Sequence, residues 1–220
     1  MLFSAFLALA AASGDAQRTL DVPAFHSVDL AFAGSAQVVQ SPVTRVQVTG
    51  EESAVRCVTA KVHEGKLVIG WARSGEKVPG RDATGNTITV VAPQACGKSK
   101  RSQRVLVRIA APAIDAVSIS GSGNLHARAI RAPHFSASVP GSGTIRLDDL
   151  RAAKTSLAIA GSGDIIAAGT LGQLQVSLAG SGDIDTRAAR ASTLDVNLAG
   201  ENGGAKLGHG SGGEVLLRAA

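Results

Sequence analysis

The sequence predicts an all-β protein built around a β-solenoid, and three observations lead to this fold. The tripeptide Gly-Ser-Gly returns at steps of 19 or 20 residues, apolar residues alternate around each copy, and aromatic residues make up 3% of the chain. A fixed period in this range is typical of stacked repeats, in which each unit covers the apolar face of its neighbour.

The copies of the tripeptide occupy the second half of the 220-residue chain, and a degraded fifth copy stands at Gly200-Glu201-Asn202. Glycine suits a sharp corner because it has no side chain and tolerates positive φ. A broken last copy is typical of a terminal coil. The four intact copies, which are the predicted repeat corners, are Gly121-Ser122-Gly123, Gly141-Ser142-Gly143, Gly161-Ser162-Gly163 and Gly180-Ser181-Gly182.

Apolar residues stand two and four positions before the first glycine of each copy, as Leu157 and Ile159 do before Gly161. Alternation with period two indicates a strand with one buried face. Each unit is therefore a strand, a corner and another strand, and stacking at about 4.8 Å pairs the strands in parallel. We expect a right-handed parallel β-helix of roughly five coils; the alternative is a set of β-hairpins in a sandwich.

Residues 1–16 are the predicted signal peptide. The first twelve residues are apolar and uncharged, and small residues then precede Gln17. This pattern is typical of a cleaved export signal, although the usual basic start is missing. The alternative is a buried N-terminal strand. No other long apolar run follows, so the sequence predicts no transmembrane segment. The predicted export signal indicates a protein of the periplasm or the cell surface.

Two cysteines, Cys57 and Cys96, are the whole cysteine content. An even pair in an exported chain predicts one disulfide. On the loop-entropy model it would contribute roughly 3–4 kcal/mol to stability. The alternative is two buried free thiols.

Residues 17–112 form a predicted β-rich N-terminal half with weak repeats, and residues 113–220 form the predicted solenoid. The first half contains alternating segments with a turn at Glu64-Gly65, and residues 51–57 suit one helical turn. We expect this half to share the solenoid core or to cap its open end, because exposed strand edges promote aggregation. The predicted strands cover residues 45–49, 58–63, 66–71, 87–92 and 104–110.

Charge is divided unequally between the two halves. Residues 1–112 hold 13 basic and 8 acidic residues, whereas residues 113–220 hold 9 of each. A basic cluster without acids suits contact with an anionic envelope polymer or a lipid headgroup, and the alternative is a solvated loop. No stacking aromatics accompany it, so we expect no nucleic-acid partner. The cluster comprises Lys98, Lys100, Arg101, Arg104 and Arg108.

No catalytic, metal or cofactor site is predicted. Asp164 and Asp183 follow two of the corners, but calcium-binding repeats have a shorter period and an acid in every turn. The serines stand in bare Gly-Ser-Gly and not in the G-x-S-x-G elbow of hydrolases. Asp183 and Asp185 are predicted to lie far from the adjacent pair Asp148-Asp149, and the histidines are expected to be exposed.

The run from Ala111 to Leu125, followed by the repeated Gly-Ser-Gly-Asp-Ile, resembles the bacterial family called the putative auto-transporter adhesin head GIN domain. Phe25-His26-Ser27-Val28 and Gly65-Lys66-Leu67 are similar to its opening strands, so the resemblance covers roughly residues 20–200. The departures are the basic segment from about Arg73 to Arg104 and the tail after Gly200. The resemblance implies an exported β-helical envelope protein without established catalysis.

The leading hypothesis from the sequence is a non-enzymatic cell-envelope protein that presents a rigid solenoid surface for adhesion or glycan contact. Its predicted partner is an envelope polysaccharide. The second hypothesis is a structural or assembly module that binds an envelope protein or associates with itself. The third is a polysaccharide-active enzyme that depends on Asp183 or Asp185.

Overall fold

The computed structural model describes residues 15–81, 87–91, 96, 104–199, 204–207 and 214–219. The structure is almost all β, with 65% strand and 2% helix, which confirms the all-β prediction. A β-solenoid is also confirmed, with about four turns roughly 20 residues apart, against the five expected. Sixteen of the described strands form one continuous sheet, and two more form a separate hairpin.

The first half of the chain supplies nine strands and one short helix within the described residues. The strands predicted from alternation are confirmed to within a residue or two, and Ala92 lies outside the described residues. The elements are β1 Asp15–Leu20, β2 Ser27–Leu30, β3 Ser35–Gln40, β4 Arg45–Glu51, α1 Glu52–Val55, β5 Val58–His63, β6 Lys66–Trp71, β7 Lys77–Arg81, β8 Thr87–Val91 and β9 Val105–Ala111.

The second half supplies the regular coils. Its longest strands run continuously from one corner to the next, because the chain bends between two faces without leaving the sheet. The elements are β10 Ala116–Ser118, β11 Asn124–Arg128, β12 Arg131–Val139, β13 Thr144–Ile159, β14 Asp164–Leu178, β15 Asp183–Asp185, β16 Ala189–Leu198, β17 Gly204–Lys206 and β18 Glu214–Ala219.

Two parallel stacks of strands build the solenoid. The corner face holds the strands that directly follow a corner: β3, β11, the first parts of β13 and β14, β15 and β17. The return face holds the strands that lead to the next corner: β2, β10, β12, the later parts of β13 and β14, β16 and β18. Residues one repeat apart therefore stack directly upon one another.

The core consists of ladders of equivalent apolar side chains between the two faces. On the corner face Ile145, Ile165 and Ile184 pair in register and are fully buried. On the return face Leu157, Val176 and Val196 form the matching ladder. Each such side chain contributes about 1.5–3 kcal/mol by leaving water. The alternation noted in the sequence is thus the alternation of core and solvent positions.

Each long strand bends twice between corners. The first bend follows the corner face, where Asp149 has φ 55° and Gly169 has φ +130°. The second interrupts the alternation of burial, as at Ala153 and Lys154, which are both exposed. The return face is thereby divided into a short segment before the second bend and a longer segment after it.

The first coil is inserted between strands that come later in the chain. Strands β2 and β3 pair in parallel with β10 and β11 on one side. On their other side they pair in parallel with β6 and β9. The N-terminal half therefore continues the solenoid sheet, with β6 and β9 lying beside the first coil.

An antiparallel layer covers the N-terminal end of the solenoid. Strand β4 runs antiparallel to β9, β5 runs antiparallel to β6, and β1 pairs antiparallel with β4. Helix α1 joins β4 to β5 and buries Ala54 and Val55 in the common core. We call β1, β4, α1 and β5 the cap.

Arg18 of β1 fastens the cap. Its guanidinium donates hydrogen bonds to the carbonyl oxygens of Val55, Arg56 and Val58, at 3.2, 3.3 and 3.1 Å. Burial lowers the pKa of this guanidinium from its usual value. The charge nevertheless compensates the carbonyls of Val55 and Arg56, which lie at the end of the short helix.

The predicted disulfide joins Cys57 and Cys96, whose Cα atoms are 5.4 Å apart. Both cysteines are buried beside Ala72 and Trp71, and the Trp71 ring meets Phe32 edge-on at 5.2 Å. The bond ties the cap, at the junction of α1 and β5, to Cys96 between β8 and β9. The predicted turn at Glu64-Gly65 and the helical turn before Cys57 are also present.

Candidate functional site

The predicted corners form an exposed seam along the solenoid. Backbone N–H groups bond to the glycine carbonyl of the preceding coil, as Ser162 does to Gly141 at 3.1 Å and Ser181 to Gly161 at 3.0 Å. A Cβ built on Gly161 would lie 1.9 Å from the Gly141 oxygen. Glycine is therefore required by close backbone approach, while the corner serines Ser122, Ser142, Ser162 and Ser181 face solvent.

The aspartates that follow two corners accept hydrogen bonds from backbone N–H groups of the next coil. The Asp164 carboxylate accepts a hydrogen bond from the Asp183 N–H at 3.0 Å, and the Asp183 carboxylate accepts one from the Gly204 N–H at 3.1 Å. Within the described residues no group of three or more His, Cys, Asp or Glu side chains is placed to hold a metal ion. The recurrence of Asp is explained by this contact between coils.

Only part of the predicted basic cluster falls on described residues. Arg104 and Arg108 are exposed and line a depression of about 690 Å³ together with Ser122 and Asn124 at the first corner. Lys98, Lys100 and Arg101 lie outside the described residues. The structure thus brings two of the five predicted basic residues next to the corner seam.

A larger groove of about 890 Å³ crosses the return face at the second bend. We call it the polar groove, and two rows of side chains line it at the spacing of the coils. One row consists of His134, Lys154, Gln173 and Thr193, and the other of Ser136, Ser156, Gln175 and Asp195. Its sides therefore offer hydroxyl, amide and charged groups every 4.8 Å or so.

Buried residues form the floor of the polar groove. Phe135, Thr155, Leu174 and Leu194 lie in register between the two polar rows and are at most 5% exposed. The Thr155 hydroxyl is buried and has no hydrogen-bond partner in the described part of the chain. An unpaired buried hydroxyl is energetically unfavourable, so this position is not explained by fold stability alone.

The sequence analysis did not identify these rows, although the signal was present. Adding one repeat to Ser136 gives Ser156, then Gln175 and Asp195, so the register of the corners also aligns the polar positions. What the repeat could not show is the bend that makes the surface concave.

A charged cluster lies on the corner face. His126 Nε2 contacts an Asp148 carboxylate oxygen at 2.6 Å, and the Arg146 Nε lies 3.2 Å from the other oxygen. Burial raises the pKa of Asp148, but hydrogen bonds from His126 and Arg146 outweigh it and hold the pKa below its usual value. The prediction of exposed histidines is therefore wrong for His126, which is half-buried and paired, because stacking places it against the next coil's acid.

The acids named for the enzyme hypothesis have local partners. The guanidinium of Arg187 donates three hydrogen bonds to the Asp185 carboxylate, and the Arg187 backbone N–H donates a fourth. These contacts lower the pKa of Asp185 to about 2. Asp183 stacks on Asp164, which in turn pairs with Thr144, so Asp183 and Thr144 are two coils apart at the same position of the repeat. Asp148 lies four residues beyond Thr144 and is therefore displaced along the strand from Asp183. These acids are held by arginine or by backbone amides, as expected for structural carboxylates.

Comparison with known proteins identifies the chain's family. The family model described as "putative auto-transporter adhesin, head GIN domain" matches residues 24–205. The chain belongs to this family. The match includes every intact corner, both cysteines and the polar groove, so the resemblance noted in the sequence is confirmed. No curated protein is similar enough in sequence to count as a match.

Solved structures share the fold of this head GIN domain protein. A putative lipid binding protein from Parabacteroides distasonis has a TM-score of 0.59 at 15% identity, covering 94% of this chain and 98% of its own. A putative adhesin from Bacteroides fragilis has a TM-score of 0.56 at 18% identity, covering 91% of this chain and 95% of its own. A putative adhesin from Parabacteroides merdae has a TM-score of 0.53 at 13% identity, covering 94% of this chain and 98% of its own. At these identities the likeness concerns the fold.

The family name points to adhesion, and the structures carry the names of adhesins or of a lipid-binding protein. None of the helices in the described part of the chain has the length and apolar character needed to cross a membrane.

Proposed function

We propose that this head GIN domain protein is an exported, non-enzymatic component of the cell envelope that acts as an adhesin by binding glycan in the polar groove. The observation that carries the proposal is the pair of polar rows that repeats from coil to coil along the groove. An extended polymer has hydrogen-bonding groups at regular intervals, and a ladder of fixed side chains can meet several of them at once. Binding on a rigid sheet also avoids the entropic cost of ordering a loop.

The arrangement of acids in the groove favours binding over hydrolysis. Asp115 and Asp195 line opposite ends of the groove. Ala116, which follows Asp115, is separated from Asp195 by four steps between strands, or about 19 Å. Glycosidases place two carboxyl groups roughly 5–9.5 Å apart. Asp115 is moreover engaged by His26 at 2.9 Å.

Export is supported by two features of the N-terminal region. The disulfide between Cys57 and Cys96 requires an oxidising compartment, such as the periplasm or the cell surface. Cleavage between Ala12 and Gln17 would leave Arg18 and at least residues 17–20 of β1 in the mature protein. Mass spectrometry of the protein recovered from the periplasm and from the medium tests both the cleavage site and the compartment.

The groove is tested with the double variant Gln173→Ala/Gln175→Ala. Its matched control is Gln37→Ala/Asn197→Ala, which removes two exposed amides outside the groove. The measurement is co-sedimentation of the chain from Gln17 onward with envelope polysaccharide and with peptidoglycan across a salt series. We expect saturable binding that survives high salt, and about tenfold weaker binding for the groove variant alone.

Two results would contradict glycan binding in the groove. The first is no sedimentation with either polymer at any salt concentration. The second is equal loss of binding in the groove variant and its control. Concentration-dependent self-association without glycan binding would instead favour the assembly module, as would capture by one envelope protein.

A further inference from the structure

A row of arginines runs along the outside of the solenoid, in the short segment between the first and the second bend of each coil. Arg131 of β12 pairs in register with Arg151 of β13, and Thr170 of β14 pairs with Arg190 of β16. Because Arg151 also pairs with Thr170, the four residues occupy one line across successive coils. We call Arg131, Arg151 and Arg190 the arginine row; it spans about 14 Å.

Most of the charge in the arginine row is not neutralised. All three side chains belong to exposed residues. Arg151 contacts Asp149 at 3.1 Å. The side chains of Arg131 and Arg190 make no ion pair within the described residues, and neither does Lys154 at the adjacent rim of the polar groove. The row therefore presents a line of positive charge to solvent.

The fold does not require arginine at these positions. They face solvent, where the solenoid elsewhere uses small polar residues, as at Ser118 and Ser138. Like charges on directly paired strands repel each other and are destabilising. Arg131 and Arg151 are such a pair. Fold stability therefore does not explain why arginine occupies both positions.

We propose that the arginine row binds a linear acidic polysaccharide laid along the solenoid axis. Guanidinium groups bind carboxylates in a bidentate manner, and a line of them matches a chain that carries carboxylates at intervals. Nucleic acid is disfavoured because the described aromatic side chains are buried or half-buried, so no stacking platform borders the row. The row and the polar groove lie on opposite sides of the second bend, so variants separate their contributions.

The test compares the triple variant Arg131→Gln/Arg151→Gln/Arg190→Gln with a matched triple, Arg45→Gln/Arg104→Gln/Arg108→Gln. Both triples remove three exposed positive charges, and the matched triple removes the described part of the predicted basic cluster. Calorimetry measures binding of polygalacturonate, with neutral dextran as the uncharged reference. We expect at least roughly tenfold weaker polygalacturonate binding for the row variant, and a change below about twofold for the matched triple.

A second variant tests the row by gain of function. Thr170→Arg fills the gap between Arg151 and Arg190, whereas Ser177→Arg adds the same charge at an exposed position elsewhere on β14. We expect tighter polygalacturonate binding for Thr170→Arg alone. We also expect the row triple variant to unfold at the same temperature as the parent protein or at a higher one, because removing the three arginines relieves the repulsion between them.

Several outcomes would overturn the proposal. They are the absence of polygalacturonate binding by the parent protein at low salt, equal losses in the two triple variants, or no loss in the row variant. Double-stranded DNA or inorganic polyphosphate bound as tightly, with the same dependence on the row, would overturn the assignment to acidic polysaccharide. Weakening of groove-dependent glycan binding by the row variant would show that the two surfaces are one site.

Discussion

The regular coils and the cap are stabilised by different means, although they share one sheet and one core. The coils repeat a single unit, so equivalent residues stack in register and each corner glycine meets the one before it. The cap is antiparallel, contains a single turn of helix and is fastened by Arg18 and a disulfide. The difference shows that repeated coils can stack on one another but cannot cover the exposed end of the stack, because an end layer needs contacts that the repeat does not contain.

The largest expected effect comes from breaking the coils at a corner. Gly161→Ala places a Cβ 1.9 Å from the backbone oxygen of Gly141, where no flexible side chain can move aside. We expect a loss of at least about 3 kcal/mol in the free energy of unfolding, or failure to fold. Urea unfolding measures it. Gly70→Ala is the control, since its added Cβ would lie 3.9 Å from Ala31, and we expect a change within about 0.5 kcal/mol. Parent-like stability of Gly161→Ala would show that the corners are not tightly stacked.

Removing the disulfide should affect the cap more than the coils. The variant Cys57→Ala/Cys96→Ala loses the constraint on a 39-residue separation, and we expect its free energy of unfolding to fall by about 3–4 kcal/mol. Hydrogen exchange should show faster exchange in β4 and β5, with smaller changes in β13 and β14. Parent protein treated with reductant should behave like the variant. Equal acceleration in cap and coils would mean that the two regions unfold as one unit.

A smaller effect of opposite sign is expected in the floor of the polar groove. Thr155→Val replaces a buried hydroxyl that has no partner by a methyl group of similar size. We expect a gain of about 1 kcal/mol in the free energy of unfolding. Thr170→Val, at an exposed position on the next coil, should change it by less than about 0.5 kcal/mol. A loss of stability in Thr155→Val would reveal a hydrogen bond to this hydroxyl in solution.

The smallest effect concerns the ion pair between Asp185 and Arg187 on the last regular coil. Arg187 lowers the pKa of Asp185 to about 2 from 3.8. The pair therefore stabilises the folded state above pH 3.8 or so, and this contribution disappears as the pH falls towards 2. In Arg187→Gln the pKa of Asp185 should return towards 3.8, as measured from carboxyl carbon chemical shifts against pH. An unchanged pKa would mean that the pair does not persist in solution.

Much of the solenoid could be predicted from the sequence because one rule governs it. The period of the glycines sets the register, and alternation around Leu157 and Ile159 distinguishes core from solvent. The disulfide was predictable from two cysteines and a predicted export signal. Short strands such as β5 and β6 were predictable from their alternation and from the turn at Glu64-Gly65.

The candidate surfaces were less predictable, because they arise from bends and from residues that meet across coils. The predicted basic cluster rested on neighbours in sequence, such as Arg104 and Arg108. The arginine row consists of residues one or two repeats apart, such as Arg131 and Arg151, whose alignment depends on the stacking. The pairing of His126 with Asp148 was missed for the same reason, since 22 residues separate them.

The sequence by itself determined the all-β class, the coil length, the core positions and the corners of this protein, because each is a local or periodic property of the chain. Only the tertiary structure decided that the first coil lies between β6 and β10, that an antiparallel cap covers one end and that polar rows border a concave groove. These features depend on contacts between residues that are distant in sequence, and no period or local preference encodes such contacts.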